Sequence, residues 1–468
     1  MSPAMVRNLV CIFFLFCFLI PTGCQVQPVN DPVALEVPVN WDQSAVTDAW
    51  PTPDWWQNFG STELDRLMSE AQANNLDLAA AAARILQAEA QARLAGVALL
   101  PTLDLGGGVS RNGAFGGNSN VVASNRFDIN LGASYEIDFW GKNRANLTAA
   151  QESLRASQFD RETVALTLAS SVATTYMQVL SLRERIAIAH LNLENAERVL
   201  KLVGARVKFG AVSPLDLAQQ RAVVARQQAA IPPLEQQERD VRSALAILLG
   251  KPPQGFDVEA TSLNDIALPQ VAAGLPSGLL TRRPDIQTAE AQLHAANANI
   301  AAARAAYFPS ISLTGSAGFA STLLSDLFTG GLIYNLAVSV TQPIFDAGQR
   351  EAEEDIAVAR RDELVQTYRS TIINAFADVD TSLGTIQSTT EQQKHLLEQQ
   401  RQAEIALQLA ERRYKEGAEN LLTVLTAQRT LYDTQDELQQ VRFTHLQAMV
   451  SLYRALGGGW DMKTYAQQ

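Results

Sequence analysis

Four histidines are the side chains of this chain best suited to hold a transition metal, and they are far apart. They occur at His190, His294, His395 and His445, all within predicted helices, and their separations do not match the ligand spacing of metal sites. We therefore expect no metal and no other non-covalent cofactor.

Two further patterns that can carry catalysis have simpler structural interpretations. The glycines at 106–108 lie in a predicted strand and lack the following Lys-Ser/Thr of a phosphate loop. The carboxylates Glu351, Glu353, Glu354 and Asp355 are typical of an exposed helix face rather than of an acid–base pair. No nucleophile has a base beside it, so the sequence predicts a protein that is not an enzyme.

The N-terminus predicts export from the cytoplasm. Arg7 is followed by a twelve-residue apolar run at 9–20 and by small residues that lead to Cys24, which is the layout of a secretory signal at 1–23. Twelve residues are shorter than the ~20 that a membrane-spanning helix requires, and no later uncharged run reaches that length. We expect no transmembrane helix.

Cys24 is a candidate for covalent lipid attachment. Its surroundings resemble a lipobox, although Pro21 replaces the usual Leu, and Gln25 favours transfer to the outer membrane. We expect an N-palmitoyl and an S-diacylglycerol group on Cys24; the alternative is an ordinary cleaved signal. Because Cys11 and Cys17 lie in the signal, no intramolecular disulfide is possible.

Net charge argues against one class of partner. Removal of residues 1–23 deletes one base and no acid, so the formal charge moves from −12 to 36 − 49 = −13. An acidic surface of this kind is unsuited to nucleic acid, and we expect no nucleic-acid partner.

An internal duplication organises the chain. Four landmarks recur in the same order at a spacing of about 207 residues, which fixes the architecture before any single motif does. They are 75–78 and 283–286, 100–103 and 308–311, Ile137/Gly141 and Ile344/Gly348, and 206–211 and 413–418.

Each copy reads as a helix, two strands, a very long helix, a tight turn and a return helix. The first repeat is predicted at 61–250, with strands at about 101–112 and 126–140, a long helix at about 142–208 and a return helix at about 213–249. The second repeat is predicted at 283–456, with strands at about 309–320 and 331–346, a long helix at about 349–415 and a return helix at about 420–456. The flanking segments are an N-terminal anchor and extended segment at 24–60, a linker or equatorial segment at 251–282 and a C-terminal tail at 457–468. We expect loops at 111–125 and 321–330.

Strict alternation gives each of the four strands one apolar and one polar face. A single such strand fits a soluble core equally well. Four of them in an exported protein favour a sheet between lipid and water, which must close because open edges cannot be satisfied in hydrocarbon. Four strands are too few to close a barrel, so several chains must contribute. Symmetry alone allows two, three or four copies.

The long helices have the length of a tube wall. Residues 142–203 contain no Pro or Gly over 62 positions, and a helix of that length extends roughly 90 Å. Apolar residues from Leu182 to Val203 alternate in steps of four and three, the seam of a left-handed coiled coil. In the first return helix, Pro232-Pro233 should cause a break or a kink.

Several motifs together resemble the TolC-like outer-membrane factor family, especially its lipoprotein branch that serves resistance-nodulation-division drug pumps. The resemblance covers nearly the whole mature chain and rests on 55–59, 135–141, 282–286, 307–313 and 342–348. It implies an α+β membrane protein in which four strands per chain enter a trimeric 12-stranded transmembrane β-barrel. A long α-helical coiled-coil tunnel continues the barrel through the periplasm.

The resemblance also implies partners and site residues. A periplasmic adaptor protein and an inner-membrane resistance-nodulation-division transporter would dock at the hairpin tips, where Gly210 and Gly417 match the turn glycines. In some members an Asp, a Tyr and an Arg close the tip and rings of Asp narrow it. The matching positions are Asp216, Tyr414, Glu419, Thr423 and Thr426. Because the Arg position is Glu419 and both ring positions are threonine, the family's latch cannot be present in its usual form.

The sequence therefore predicts a lipid-anchored outer-membrane exit duct for small molecules. Two alternatives stay open. One is an outer-membrane channel for secreted polypeptides, and the other is a periplasmic coiled-coil scaffold lipoprotein without a pore.

Overall fold

A computed structural model describes residues 41, 50–115, 121–269, 276–458 and 460. The chain forms two compact units. The sheet unit contains Arg84–Ser157 and Ala289–Tyr368, and the hairpin unit contains the described residues of Leu35–Ala83, Gln158–Thr288 and Arg369–Gln468. Cys24 and the signal at 1–23 lie outside the described residues.

Each copy of the duplication contributes the same succession of elements. The helices are α1 Thr62–Asn74, α2 Leu76–Val97, α3 Lys142–Lys208, α4 Pro214–Leu248, α5 Leu279–Arg282, α6 Pro284–Ala305, α7 Gln349–Glu416 and α8 Leu421–Ala455. The strands are β1 Thr102–Phe115, β2 Val121–Ile137, β3 Ser310–Ser321 and β4 Ile333–Thr341. The predicted fold class, with two strands and one very long helix in each copy, is confirmed.

The four strands form one antiparallel sheet in the order β1-β2-β3-β4. In the register, Leu105 lies opposite Leu131 and Tyr135 opposite Leu313. Since side chains alternate between faces, these residues share one face with the apolar residues of β4. The opposite face carries Ser, Thr, Asn, Asp and Glu, as the alternation predicts.

Four strand ends lie three or more residues from their predicted positions. Strand pairing continues through Arg111–Asn125 and Asn112–Ser124, so most of the predicted loop at 111–125 belongs to the β1–β2 ladder. Its Gly, Asn and Ser residues suggested a loop because they lack the apolar alternation of a buried strand. β2 ends at Ile137 rather than near 140, and β4 ends at Thr341 rather than near 346. Pro343 cannot donate to a ladder, which is consistent with the early end of β4.

The return helix α4 is not broken by its two prolines. Pro232 and Pro233 lie inside a helix that runs from Pro214 to Leu248, although each removes one backbone donor. Gly384 is likewise accommodated inside α7. A break at Pro232-Pro233 is therefore wrong, whereas a kink there stays a prediction.

The hairpin unit is built on an aromatic core next to its N-terminal segment. Trp55 and Phe59, from the motif at 55–59, are fully buried, and the Trp55 ring stacks on Tyr453 with centroids 4.9 Å apart. The same cluster includes Val172, Tyr176 and Leu180 of α3. Apolar burial of this kind is the main source of folding free energy.

This core explains why one helix of the described residues, α3, is apolar enough to cross a membrane by length and composition. An 18-residue stretch of α3 has a mean hydropathy of 1.2, and half of it is buried inside the protein. A helix that packs into a core meets the same criterion, so the stretch does not require a lipid environment.

Hydrogen bonds hold the segment after α4 against α1 and α3 of the same unit. The Glu63 carboxylate accepts hydrogen bonds from the backbone N–H groups of Glu259 at 2.8 Å and Ala260 at 3.0 Å. Arg183 donates to the Ala260 carbonyl at 2.9 Å and to Glu238 at 3.1 Å. These bonds hold in place the first described part of the predicted linker, 251–269; its second described part, 276–282, includes α5.

Candidate functional site: the hairpin tips and the open sheet

Glycines make the chain reversal possible at both hairpin tips. Gly210 has a φ of 69° and Gly417 a φ of 80°, in the left-handed region that side chains disfavour. The Gly417 N–H donates to the Tyr414 carbonyl at 3.0 Å and the Ala418 N–H to the Arg413 carbonyl at 2.9 Å. This pair of bonds is a Schellman motif, which satisfies the last carbonyls of α7.

The first tip repeats this geometry. The Gly210 N–H donates to the Val207 carbonyl and the Ala211 N–H to the Arg206 carbonyl, both at 2.9 Å. The return helices then begin with side-chain caps. Ser213 accepts a hydrogen bond from the Leu215 N–H at 3.2 Å, and Asn420 accepts one from the Thr423 N–H at 3.1 Å.

Tyr414 lies at the centre of an apolar cluster that joins the two tips. Only 1% of this side chain is exposed. The cluster draws residues from all four hairpin helices, and among its buried and partly buried members are Val199, Val203, Leu217, Leu407, Tyr414, Leu421, Val424 and Leu431. The two hairpins of one chain are therefore packed together at their tips.

Arg206 connects the two tips through a polar contact. It donates from Nη1 to the Tyr414 carbonyl, and its guanidinium carbon lies 4.6 Å from the centroid of the Tyr414 ring. A guanidinium at this distance interacts favourably with the negative face of the ring. Arg206 at the first tip is thus engaged by a tyrosine rather than by a carboxylate.

Tyr414 and Asp216 are near each other without a hydrogen bond. Burial raises the pKa of the Tyr414 phenol above its ordinary value; the Arg206 charge opposes this rise and the Asp216 charge adds to it. The Tyr414 hydroxyl has no hydrogen-bond partner among the described residues. Asp216 also has no basic nitrogen within 4 Å in the described part of the chain, so its carboxylate charge is not neutralised by an ion pair there.

The other predicted tip residues cluster at the start of α8. Glu419 accepts a hydrogen bond from the Thr423 hydroxyl at 3.1 Å, and its carboxylate lies 3.8 Å from Arg413. Thr426 donates to the carbonyl of Leu422 at 2.9 Å. Both threonines are exposed, and each hydroxyl donates a hydrogen bond within the tip. Because threonine is neutral, neither position offers a charge to a passing ion.

Two aspartates at the strand-to-helix junctions were not singled out by the sequence reasoning. The Asp138 carboxylate accepts hydrogen bonds from the backbone N–H groups of Asn143 and Arg144, both at 2.9 Å, at the start of α3. Asp346 accepts from the Gly348 N–H at 3.2 Å and from the Arg350 side chain before α7. The signal available in the sequence was an acid four to six residues before the first arginine of each long helix.

The sheet leaves both of its edges and its apolar face without partners among the described residues. β1 and β4 are each paired on one side only. On the apolar face, Leu105, Val109, Tyr334 and Leu336 are 74–81% exposed. Unpaired edges and a wide apolar face both require covering.

No group of three or more His, Cys, Asp or Glu side chains in the described part of the chain is arranged to hold a metal ion. An amphipathic sheet with open edges, combined with long helical hairpins in an exported chain, defines a channel-forming subunit of a bacterial outer membrane.

Comparison with known proteins identifies the family. The outer membrane efflux protein family matches residues 67–251 and again residues 275–458, which reproduces the internal duplication and covers more than half of the chain. The chain belongs to the outer membrane efflux protein family.

Individual relatives agree over almost the full length. The chain is 44% identical over 444 residues to the pyoverdine export outer membrane protein OpmQ of Pseudomonas putida, covering 93% of this chain and 94% of that protein. It is 34% identical over 463 residues to the cation efflux system protein CusC of Escherichia coli, covering 96% and 99%. The structure of the open state of the Neisseria gonorrhoeae MtrE outer membrane channel superposes with a TM-score of 0.84 at 31% identity, covering 93% and 98%.

These relationships confirm the predicted resemblance, location and general function. The protein is an outer-membrane efflux channel of the TolC-like fold and extends into the periplasm. Its relatives are channels rather than enzymes. The residue roles at the tips and at Cys24 stay predictions.

Proposed function

We propose that three copies of this chain form a passive exit duct for small molecules, as the outer-membrane part of a three-component pump. The observation that carries the proposal is the open sheet. Its two unpaired edges cannot face hydrocarbon, and its four strands are too few to close alone. Three copies supply twelve strands and remove every edge; the number three follows the family resemblance.

The tips supply the surface for the other two components. Phe209 is 83% exposed at the first turn, and Leu215 and Leu422 are exposed at the starts of α4 and α8. Apolar side chains at a periplasmic end favour contact with another protein. We assign this surface to a periplasmic adaptor, through which an inner-membrane resistance-nodulation-division transporter delivers cargo and energy.

The exported compounds are small molecules, and the inner-membrane transporter selects which of them enter the duct. OpmQ is named for export of pyoverdine and CusC for efflux of cations, so two relatives of this chain are named for different exported compounds. A polypeptide-secretion channel is the alternative within the same architecture. Deletion of the gene distinguishes them: drug or metabolite export should fall while the profile of secreted proteins stays unchanged, and the reverse result would support secretion.

Assembly and pore formation are tested with purified mature protein in detergent. Native mass spectrometry should give three chains, and planar lipid bilayers should show steps of ion conductance. A monomer without conductance would contradict the proposal and favour the pore-free scaffold.

Two matched arginine substitutions on β4 test which face meets lipid. Leu336 lies on the apolar face and Ser339 on the polar face. Leu336→Arg should reduce trimer recovery from membranes, because arginine near the bilayer centre costs about 2–4 kcal/mol. Ser339→Arg should assemble normally and alter conductance. Equal losses from both variants would overturn the assignment of faces.

The lipid anchor is tested separately. We propose N-palmitoyl and S-diacylglycerol groups on Cys24, supported by its place at the end of the signal. Cells fed with labelled palmitate should label the wild-type protein and not Cys24→Ala. A wild-type protein without label would mean that an ordinary signal is cleaved there.

A further inference from the structure

The polar face of the sheet carries few charged side chains, and the strand register shows which residue lies opposite each of them. Asp104 lies opposite Gly132, Asp128 opposite Gly108, and Arg126 opposite Ser110, all on the face away from Leu105. Glu136 shares this face near the end of β2. These three acids and one base are the charged side chains on this face among the described strand residues.

Two of the three carboxylates have a basic neighbour. Arg126 Nε lies 3.5 Å from Asp128 Oδ1, and Lys142 Nζ lies 3.5 Å from Glu136 Oε1. Asp104 has no basic nitrogen within 4 Å in the described part of the chain. It is therefore the uncompensated charge of this face.

The surroundings of Asp104 leave its carboxylate open to the solvent. The residue directly across the strand pair is Gly132, and the next position on the same face of β1 is Gly106. Neither has a side chain to cover the carboxylate. The nearest polar side chains on this face are those of Thr102 and Ser134. Their hydroxyls form a hydrogen bond with each other at 2.8 Å.

We propose that Asp104 gives this channel a preference for cations within the barrel. The inference rests on the proposed trimeric barrel, in which the polar face lines the lumen and symmetry places three Asp104 carboxylates at one height. Carboxylate rings favour cations and repel anions. At the tips, neutral Thr423 and Thr426 stand at the family's acidic ring positions, so the Asp104 carboxylates supply in the barrel a charged ring that those two positions do not.

The effect depends on salt. A carboxylate on the barrel wall attracts cations across the whole lumen only when the Debye screening length of the solution is comparable with the radius of the lumen. That length is about 30 Å at 0.01 M salt and about 3 Å at 1 M. Cation preference should therefore be clear at 0.01 M and almost absent at 1 M.

The experiment measures the reversal potential of reconstituted channels in a KCl gradient near 0.01 M. Wild type should favour K⁺ over Cl⁻, and Asp104→Asn should reduce the permeability ratio at least about twofold toward unity. Arg126→Gln is the matched variant on the same face. It leaves Asp128 uncompensated, so it should raise the ratio.

The outcomes separate the two proposals. Conducting Asp104→Asn trimers with an unchanged permeability ratio would overturn the role of Asp104 and leave the duct intact. A ratio that Arg126→Gln lowers rather than raises would also overturn it. Wild-type protein that does not conduct would instead contradict the proposed function itself.

Discussion

Arg206 at the end of α3 and Tyr414 near the end of α7 hold the two hairpin tips of one chain together. The guanidinium lies 4.6 Å from the ring centroid and donates to the Tyr414 carbonyl, which also accepts the N–H of Gly417. That carbonyl belongs to the C-terminal turn of α7, where negative partial charge accumulates and a cation is favourable. Arg206 thus stabilises the second tip from the first.

Removal of this contact should loosen the second tip. Arg206→Ala loses a cation–π contact and a charge-assisted hydrogen bond, together about 1–3 kcal/mol. If the turn opens locally, the amides of Gly417 and Ala418 should exchange with deuterium roughly tenfold faster or more. Hydrogen-exchange mass spectrometry of peptides over 413–418 measures this change.

Lys208 provides the control for that prediction. It lies half a turn from Arg206, carries the same charge and is exposed. Lys208→Ala should leave exchange at the second tip unchanged. Equal acceleration in both variants would show that net charge, rather than the Arg206–Tyr414 contact, controls the turn.

The sheet shows how far the sequence predicts this fold. Period-two alternation is a local property, and it assigned Leu105, Leu131 and Tyr135 to the face that the register confirms. The extent of the β1–β2 ladder was not predictable in this way. Arg111 and Asn125 pair as strand residues although nothing in their polarity demands it, because the pairing depends on the partner strand.

At the tips, the sequence predicts the turns but not the side-chain contacts between them. The turn glycines could be found from the duplication, since a left-handed φ is a local requirement. The partner of each arginine could not. Arg206 and Arg413 are equivalent in the duplication, yet one contacts Tyr414 and the other Glu419. That difference arises from the packing of one hairpin against the other, which no local pattern encodes.

Block by divalent cations should be weak in this channel. Thr423 and Thr426 are exposed, and their hydroxyls donate to Glu419 and to the Leu422 carbonyl. Threonine has no charge to bind a cation. Millimolar Mg²⁺ or Co²⁺ added to reconstituted channels should therefore change conductance little.

The converse substitution makes this prediction sharper. Thr423→Asp/Thr426→Asp should create a divalent block, whereas Thr423→Asn/Thr426→Asn, with the same shape and no charge, should not. Strong block of the wild-type channel would contradict the prediction, and so would block of the Asn variant equal to that of the Asp variant.

Arg283 should be essential to the stability of the hairpin unit. It is buried and donates to Asp285 at 2.7 and 3.0 Å, to Asp378 at 3.1 Å and to the Ala455 carbonyl at 3.2 Å. Arg283→Met removes all four of these bonds; Asp285 keeps the bond from the Ile286 N–H at 2.9 Å. Because the aspartates are partly exposed, we expect a loss of about 2–4 kcal/mol, toward the lower end for a broken buried ion pair.

The adjacent arginine is the comparison for this loss. Arg282 is exposed and lies with its guanidinium carbon 4.6 Å from the Trp50 ring. A contact of this kind contributes about 0.5–1 kcal/mol. Thermal unfolding followed by tryptophan fluorescence should therefore show a much larger decrease for Arg283→Met than for Arg282→Met. Similar decreases would refute a special role for Arg283.

High pH should destabilise the hairpin unit through Tyr176. Burial raises the pKa of this phenol to about 12; a hydrogen bond with Ser61 opposes the rise, and Glu63 adds to it. An unfolded tyrosine ionises near pH 10, so the folded and unfolded states bind this proton equally below that pH and stability is fully present. Between pH 10 and 12 the unfolded state loses the proton first, and stability falls by on the order of 2 kcal/mol. Denaturant unfolding at pH 8 to 11.5 should show this decline, with a shallower slope in Tyr176→Phe. Parallel slopes for the two proteins would assign the alkaline sensitivity to other groups.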